Sequence, residues 1–83
     1  MANQSVQEGR DWFERKLREN ASKKNVPIDD VWWKDVPYHD ASDLVIRGGG
    51  KKKELRIKDL NLISNKPNSY LEQCIEEIVD SLS

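Results

Sequence analysis

The sequence has very few of the residues from which disulfides, metal centres and catalytic dyads are built. It contains one cysteine, Cys74, and one histidine, His39. A lone cysteine excludes a disulfide within the chain, and together with a lone histidine it cannot supply the soft ligands of a structural zinc site. We therefore expect a fold held together by packing alone, without metal or cofactor, in the reducing cytoplasm.

Long apolar runs are also absent. The opening residues Ala2-Asn3-Gln4-Ser5 are polar, and no stretch approaches the roughly 20 apolar residues of a membrane-spanning helix. Hydrophobic residues make up 36% of the chain and charged residues 35%, which is polar but richer in large apolar side chains than a disordered chain. We predict a single small domain over residues 1–83, with residues 1–4 disordered and no membrane partner.

Charge is segregated along the chain, although the net charge is only −1. Residues 47–58 carry six basic side chains against one acidic side chain. Residues 25–46 carry one lysine against five aspartates, and residues 59–83 carry one lysine against five acidic residues. Proteins that coat nucleic acid are usually basic throughout, whereas this chain concentrates its positive charge in one segment. That segment is the first candidate for a partner contact.

The period-two pattern within residues 43–58 predicts a β-hairpin. Apolar residues lie two apart in two short runs, which are Leu44 with Ile46 and Leu55 with Ile57. Three glycines followed by three lysines separate the runs, and this spacing indicates a connection longer than a two-residue turn. We predict a flexible, cationic hairpin tip over residues 47–54.

Two amphipathic helices flank the hairpin. In residues 5–24, Val6, Phe13 and Leu17 fall on one stripe, while charged residues including Arg10 face away from it. A second stripe, opposite a row of acidic residues, consists of Leu71, Cys74, Ile75, Ile78, Val79 and Leu82. These patterns predict an N-terminal and a C-terminal helix.

Within residues 25–42, the segment 28–36 between Pro27 and Pro37 allows two interpretations, a short strand or a turn of helix. If residues 30–35 form a strand, the adjacent Trp32 and Trp33 point to opposite faces, so that one of them is partly exposed. A lone hairpin is marginally stable in water, so this third strand or the helices must supply further apolar surface. After Ile57 the alternation shifts by one residue, which indicates a bulge or a turn near Asp59.

The predicted fold class is α+β. Its order is an N-terminal helix, a β-hairpin that a third short strand could extend, and a C-terminal helix. Both helices pack on one face of the small antiparallel sheet.

The candidate binding residues combine the basic segment with two tryptophans: Arg47, Lys51, Lys52, Lys53, Trp32 and Trp33. The cations could contact phosphates or an acidic protein surface, or they could simply keep the strand edges from pairing with other chains. An exposed tryptophan beside them would provide a stacking platform for bases or a hot spot for a protein. The alternative is that the tryptophans are core anchors.

Motifs for catalysis are incomplete. The glycines of GGGKK lack the spacing and the Ser or Thr of a phosphate-binding loop. Asp43 followed by Glu54-Leu55-Arg56 resembles the acid and acid-x-lysine of restriction-type nucleases, but Arg56 stands in place of the lysine and the chain is short for that fold. Cys74 lies on an apolar stripe, where a small hydrophobic residue is expected.

The sequence therefore predicts a small non-enzymatic regulatory or adaptor protein. It would bind a larger, negatively charged macromolecule through the hairpin tip and the neighbouring tryptophan segment, with a protein partner favoured over nucleic acid. The alternative is nucleic-acid binding, in which the RGGGKKK finger contacts phosphates. Because so small a domain has a limited core, a homodimer is a further option.

Overall fold

The computed structural model describes residues 4–63 and 69–83. Its elements are α1 (Gln4–Lys23), β1 (Asp30–Val36), β2 (Ala41–Gly48), β3 (Lys51–Lys58), α2 (Asp59–Leu62) and α3 (Ser69–Leu82). The predicted α+β architecture is confirmed, because the two long helices pack on one face of an open antiparallel sheet. The prediction of disorder at residues 1–4 falls outside the described residues except at Gln4, which begins α1.

The sheet has the order β1-β2-β3, and both of its strand pairs are antiparallel. The third strand proposed for residues 30–35 is confirmed as β1, and the alternative of a helical turn is wrong. A short 3-10 turn, Pro37–His39, connects β1 to β2. The register is continuous, with Asp30 opposite Arg47 at one end of β1 and Val36 opposite Ala41 at the other.

The hairpin turn is tighter than the sequence indicated. Only Gly49 and Gly50 lie between the strands, and both have positive φ angles, of 58° and 78°. Two-residue turns of this kind twist in the sense that the flanking strands require, and glycine adopts them without steric cost. The prediction of a longer connection was therefore wrong, because Lys51, Lys52 and Lys53 belong to β3. Flexibility of residues 47–54 stays a prediction.

The hydrophobic core lies between the helices and one face of the sheet, which we call the inner face. The sheet contributes Leu44, Ile46 and Ile57, each of them fully buried. Every residue of the predicted α3 stripe is buried, from Leu71 to Leu82, so the period of 3.6 identified this face of the helix correctly. The shift in the alternation after Ile57 marks the start of α2, whose Leu62 joins the same core.

Helices α1 and α2 approach each other closely at Gly9. A Cβ atom placed on Gly9 would lie 2.0 Å from the carbonyl oxygen of Leu62 and 2.6 Å from its carbonyl carbon. No side chain larger than hydrogen fits between these backbones without moving them. Gly9 therefore fixes the distance between the two helices.

Arg10 is buried, with only 7% of its surface exposed, although its position on the helix predicted a solvent-facing side chain. Its Nη2 donates to Asp35 Oδ1 at 2.5 Å and to Ser42 Oγ at 2.6 Å. The hydroxyl of Ser42 in turn donates to Asp59 Oδ1 at 3.1 Å. The guanidinium also lies over the ring of Trp33, 5.6 Å from its centroid. This network, which we call the Arg10 cluster, joins α1 to β1, β2 and the start of α2.

The Arg10 cluster should make stability depend on acid pH. The hydrogen bond and the charge of Arg10 lower the pKa of Asp35 below its ordinary value. A group whose pKa is lower in the folded state stabilises the fold above its unfolded pKa, near 3.9, and that contribution disappears as the pH falls through the folded pKa. We expect Asp35→Asn to be less stable than the wild type at pH 7 and to approach it below about pH 4.

Urea unfolding at a series of pH values measures this difference. Asp29→Asn is the matched control, because Asp29 is exposed and forms no ion pair with the described residues. A stability difference between Asp35→Asn and the wild type that stays constant from pH 7 to the acid limit would contradict the role given to Arg10.

Candidate binding face

Strand alternation divides the predicted binding residues between the two faces of the sheet. The helices cover the inner face, and no helix among residues 4–63 and 69–83 packs on the other, which we call the outer face. The outer face carries four residues from each strand: Asp30, Trp32, Lys34 and Val36, then Ala41, Asp43, Val45 and Arg47, then Lys52, Glu54, Arg56 and Lys58. Eight of these twelve side chains are charged.

An open groove of about 490 Å³ lies at the hairpin end of the outer face, and we call it the tip groove. Its lining comprises three basic residues, one tryptophan, two aspartates and two glycines: Arg47, Lys51, Lys52, Trp32, Asp29, Asp30, Gly48 and Gly50. Four of the six residues proposed from the sequence therefore meet at one place. Asp29 and Asp30 were not among the residues proposed from the sequence. Once residues 30–36 are known to form a strand, the alternation of side chains places Asp30 on the same face as Trp32.

Arg47 and Lys52 are directly opposite each other across β2 and β3. Like charges at directly opposed positions destabilise a sheet, because their side chains lie close together. Asp30 is opposite Arg47 on the other side, and Lys52 Nζ lies 3.7 Å from Glu54 Oε1, so acidic neighbours offset part of this repulsion. Both cations are exposed, and they are available to an anionic partner.

Trp32 supplies the apolar wall of the tip groove. It is partly buried and opposite Val45, which is only 2% exposed although no helix covers that face. Val45 therefore offers almost no surface to a partner, and the apolar surface of the groove comes from Trp32.

Two of the residues proposed from the sequence lie elsewhere. Trp33 is on the inner face, where its ring meets Phe13 edge to face, with the ring centroids 5.7 Å apart. Lys53 is opposite Ile46, also on the inner side, and is partly buried. Neither residue lines the tip groove, so Trp33 matches the core-anchor alternative instead.

Lys51 links the tip groove to the end of the C-terminal helix. Its Nζ donates a hydrogen bond of 2.7 Å to the backbone carbonyl of Ser83. The contact holds the first residue of β3 against the chain just after α3. Lys51 thus connects the groove, which it lines, to the end of α3 on the inner side of the sheet.

Asp43 and Arg56, two of the residues that resembled a nuclease motif, form an ion pair further along the outer face. Arg56 donates to Asp43 through two bonds, from Nε to Oδ1 at 2.7 Å and from Nη2 to Oδ2 at 3.2 Å. The hydrogen bond from Arg56 lowers the pKa of Asp43, and the hydrogen bond to Asp43 raises the pKa of Arg56. A cross-strand pair of this kind accounts for both residues without a metal.

Cys74 is poorly placed for nucleophilic chemistry. The thiol is buried in the core, and its burial raises its pKa, which keeps it protonated at neutral pH. His39 is exposed in the 3-10 turn between β1 and β2. Within the described part of the chain, no group of three His, Cys, Asp or Glu side chains is arranged to hold a metal ion.

None of the helices in the described ranges combines the length and apolarity needed to cross a membrane. Comparison of the chain with protein-family models, with curated proteins and with solved structures found no match. Inferences about function therefore rest on the residues and the geometry of the outer face.

Proposed function

We propose that this protein is a small, non-enzymatic regulatory or adaptor protein that binds an acidic segment of a larger protein through the tip groove. The observation that carries the proposal is the meeting of Trp32, Arg47 and Lys52 around one groove on the uncovered face of the sheet. The cations attract the partner, and Trp32 provides the apolar contact. In this proposal the protein works in the cytoplasm.

Tryptophan and arginine are the residue types most often found as hot spots of protein interfaces. Their large side chains bury much area, and arginine forms paired hydrogen bonds with carboxylates. Asp29 and Asp30 in the same groove favour a partner that offers some positive charge as well. A continuous phosphate backbone would meet repulsion from these two carboxylates, whereas a mixed-charge acidic peptide would not.

The alternative function is nucleic-acid binding through the same groove. Trp32 next to Arg47 and Lys52 has the composition of a site at which an unpaired base stacks on an aromatic ring while cations contact the backbone. The observation favouring it is that the two cations lie side by side on the same face as Trp32.

Charge reversal in the tip groove tests both functions. We expect Arg47→Glu combined with Lys52→Glu to weaken partner binding at least about tenfold, because two attractions become repulsions. The control is Arg15→Glu combined with Lys23→Glu, which makes the same change in charge at two exposed positions of α1. Capture from cell lysate by the tagged wild type, followed by titration of the identified partner, provides the measurement.

Treatment of the lysate with nuclease separates the two candidate functions. The adaptor function is supported if a protein is still captured after nuclease treatment and the groove variant alone fails to capture it. Direct binding of single-stranded DNA or RNA, with a slope of log K against log salt that falls in the groove variant by about 0.7 per lost phosphate contact, supports the alternative. Equal binding by the groove variant and the α1 control would show that the tip groove is not the contact surface.

A further inference from the structure

Strand β1 lies at one edge of the sheet and pairs only with β2 within the described residues. It is seven residues long and pairs with β2 in continuous register, and no proline occurs between Asp30 and Val36. The side of β1 away from β2 therefore presents a row of backbone N–H and C=O groups. Such an edge is a template for another extended strand.

The two edges of the sheet differ in how they discourage pairing. The other edge strand, β3, has charged side chains at six of its eight positions, and four of these are lysines. Lysine on an edge strand opposes association, because its charge must be desolvated or paired when a second strand arrives. Strand β1 has one lysine, and its sequence DVWWKDV contains two valines and two tryptophans. Of the two, β1 is the edge suited to association.

We propose that β1 pairs antiparallel with β1 of a second copy of this chain, with Trp32 opposite itself on the twofold axis. In this register Asp30 of each copy is opposite Lys34 of the other, so two pairs of opposite charge flank the central tryptophans. On the inner face, Val31 of each copy is opposite Trp33 of the other. Residues 30–34 are thus self-complementary in both charge and apolar character, whereas Asp35, which accepts a hydrogen bond from Arg10, would lie opposite Asp29 of the other copy.

The register follows from strand alternation and charge together. A shift by one residue would place outer-face residues opposite inner-face residues, so that the two sheets would not share their faces. A shift by two residues keeps the faces continuous but places Asp30 opposite Trp32 or Val36, and the charge pairs are lost. The proposed register alone combines continuous faces with matched Asp30 and Lys34.

The resulting dimer would have one continuous sheet of six strands, with the helices of both copies on the same side. Its outer face would carry two tip grooves related by the twofold axis. This proposal does not depend on the proposed function, because it concerns the edge of the sheet and the purified chain alone. Its test therefore needs no partner.

Sedimentation equilibrium of the wild type over a range of concentrations is the first measurement, and a reversible monomer–dimer equilibrium is expected. The register is tested by mixing two cysteine variants, Asp30→Cys and Lys34→Cys, under mild oxidation. Directly opposed positions have Cβ atoms about 4.5–5.5 Å apart, close to the range for a disulfide. The mixture should form a covalent heterodimer at least about tenfold faster than either variant alone, since like positions lie four residues apart along the strands and out of reach.

Cys74 can remain in both variants because it is buried. Circular dichroism identifies a variant that has failed to fold, and the sedimentation of the wild type decides the question independently of the variants. A chain that remains monomeric up to about 1 mM would overturn the proposal. Cross-linking at equal rates in the mixture and in the separate variants would also overturn it, because that result excludes the register.

Discussion

Replacing Ile78 with alanine is expected to lower the free energy of unfolding by about 2–5 kcal/mol. Ile78 lies on the buried stripe of α3 and is 1% exposed, in the core shared by the helices and the inner face. Its truncation removes three carbon atoms from a packed interior and leaves a cavity that the surrounding backbone fills only in part. The free energy of unfolding of natural domains is about 0.05–0.15 kcal/mol per residue, so a domain of this size has little stability beyond that loss.

The matched control is Leu60→Ala, which removes the same number of carbon atoms from a side chain that is 77% exposed. We expect its effect to stay within about 0.5 kcal/mol. Urea unfolding at pH 7, followed by tryptophan fluorescence and by circular dichroism, compares the two variants. Equal losses would place Ile78 outside the core.

The second large effect is expected at Gly9, where alanine should destabilise the protein by about 1–3 kcal/mol. Helix propensity alone predicts the opposite sign, because alanine in a helix interior is favoured over glycine by about 1 kcal/mol. Steric overlap decides the sign here, since the added Cβ would lie 2.0 Å from the carbonyl oxygen of Leu62. Relief of this overlap requires α1 and α2 to move apart, and that movement opens the core around Leu62.

Ser22→Ala is a suitable comparison for Gly9→Ala. Ser22 is exposed on the same helix, so the substitution tests propensity without a steric clash, and we expect a change of at most about 0.5 kcal/mol. Thermal and urea unfolding of both variants give the two values. A gain in stability at Gly9 would mean that the two helices do not approach each other as closely as described.

Much of the fold could be predicted from local periodicity. The stripes of α1 and α3 and the alternation of β2 and β3 reflect one requirement, that each element bury one face. This requirement sets the spacing of apolar residues that are close together in the sequence. The hairpin turn could not be identified in the same way. Three lysines in a row resemble a loop in composition, yet pairing with β2 and a two-glycine turn place them in a strand.

Arg10 shows where sequence reasoning reaches its limit. A charged residue on a helix is ordinarily assigned to solvent, because burying an unpaired charge costs much free energy. Its partners Asp35 and Ser42 lie 25 and 32 residues away in the chain, so no local pattern reveals them. Trp32 and Trp33 show the same limit. The alternation of side chains along a strand predicted that they point to opposite faces, but it did not predict which of them faces the helices.

The hydrogen bond from Lys51 to the carbonyl of Ser83 has a practical consequence for the design of reagents. It joins the end of α3, on the inner side of the sheet, to a residue that also lines the tip groove. A polypeptide fused after Ser83 therefore leaves the domain beside Lys51 but outside the lining of the groove. A small dye at that position would report whether a partner has displaced Lys51 from Ser83.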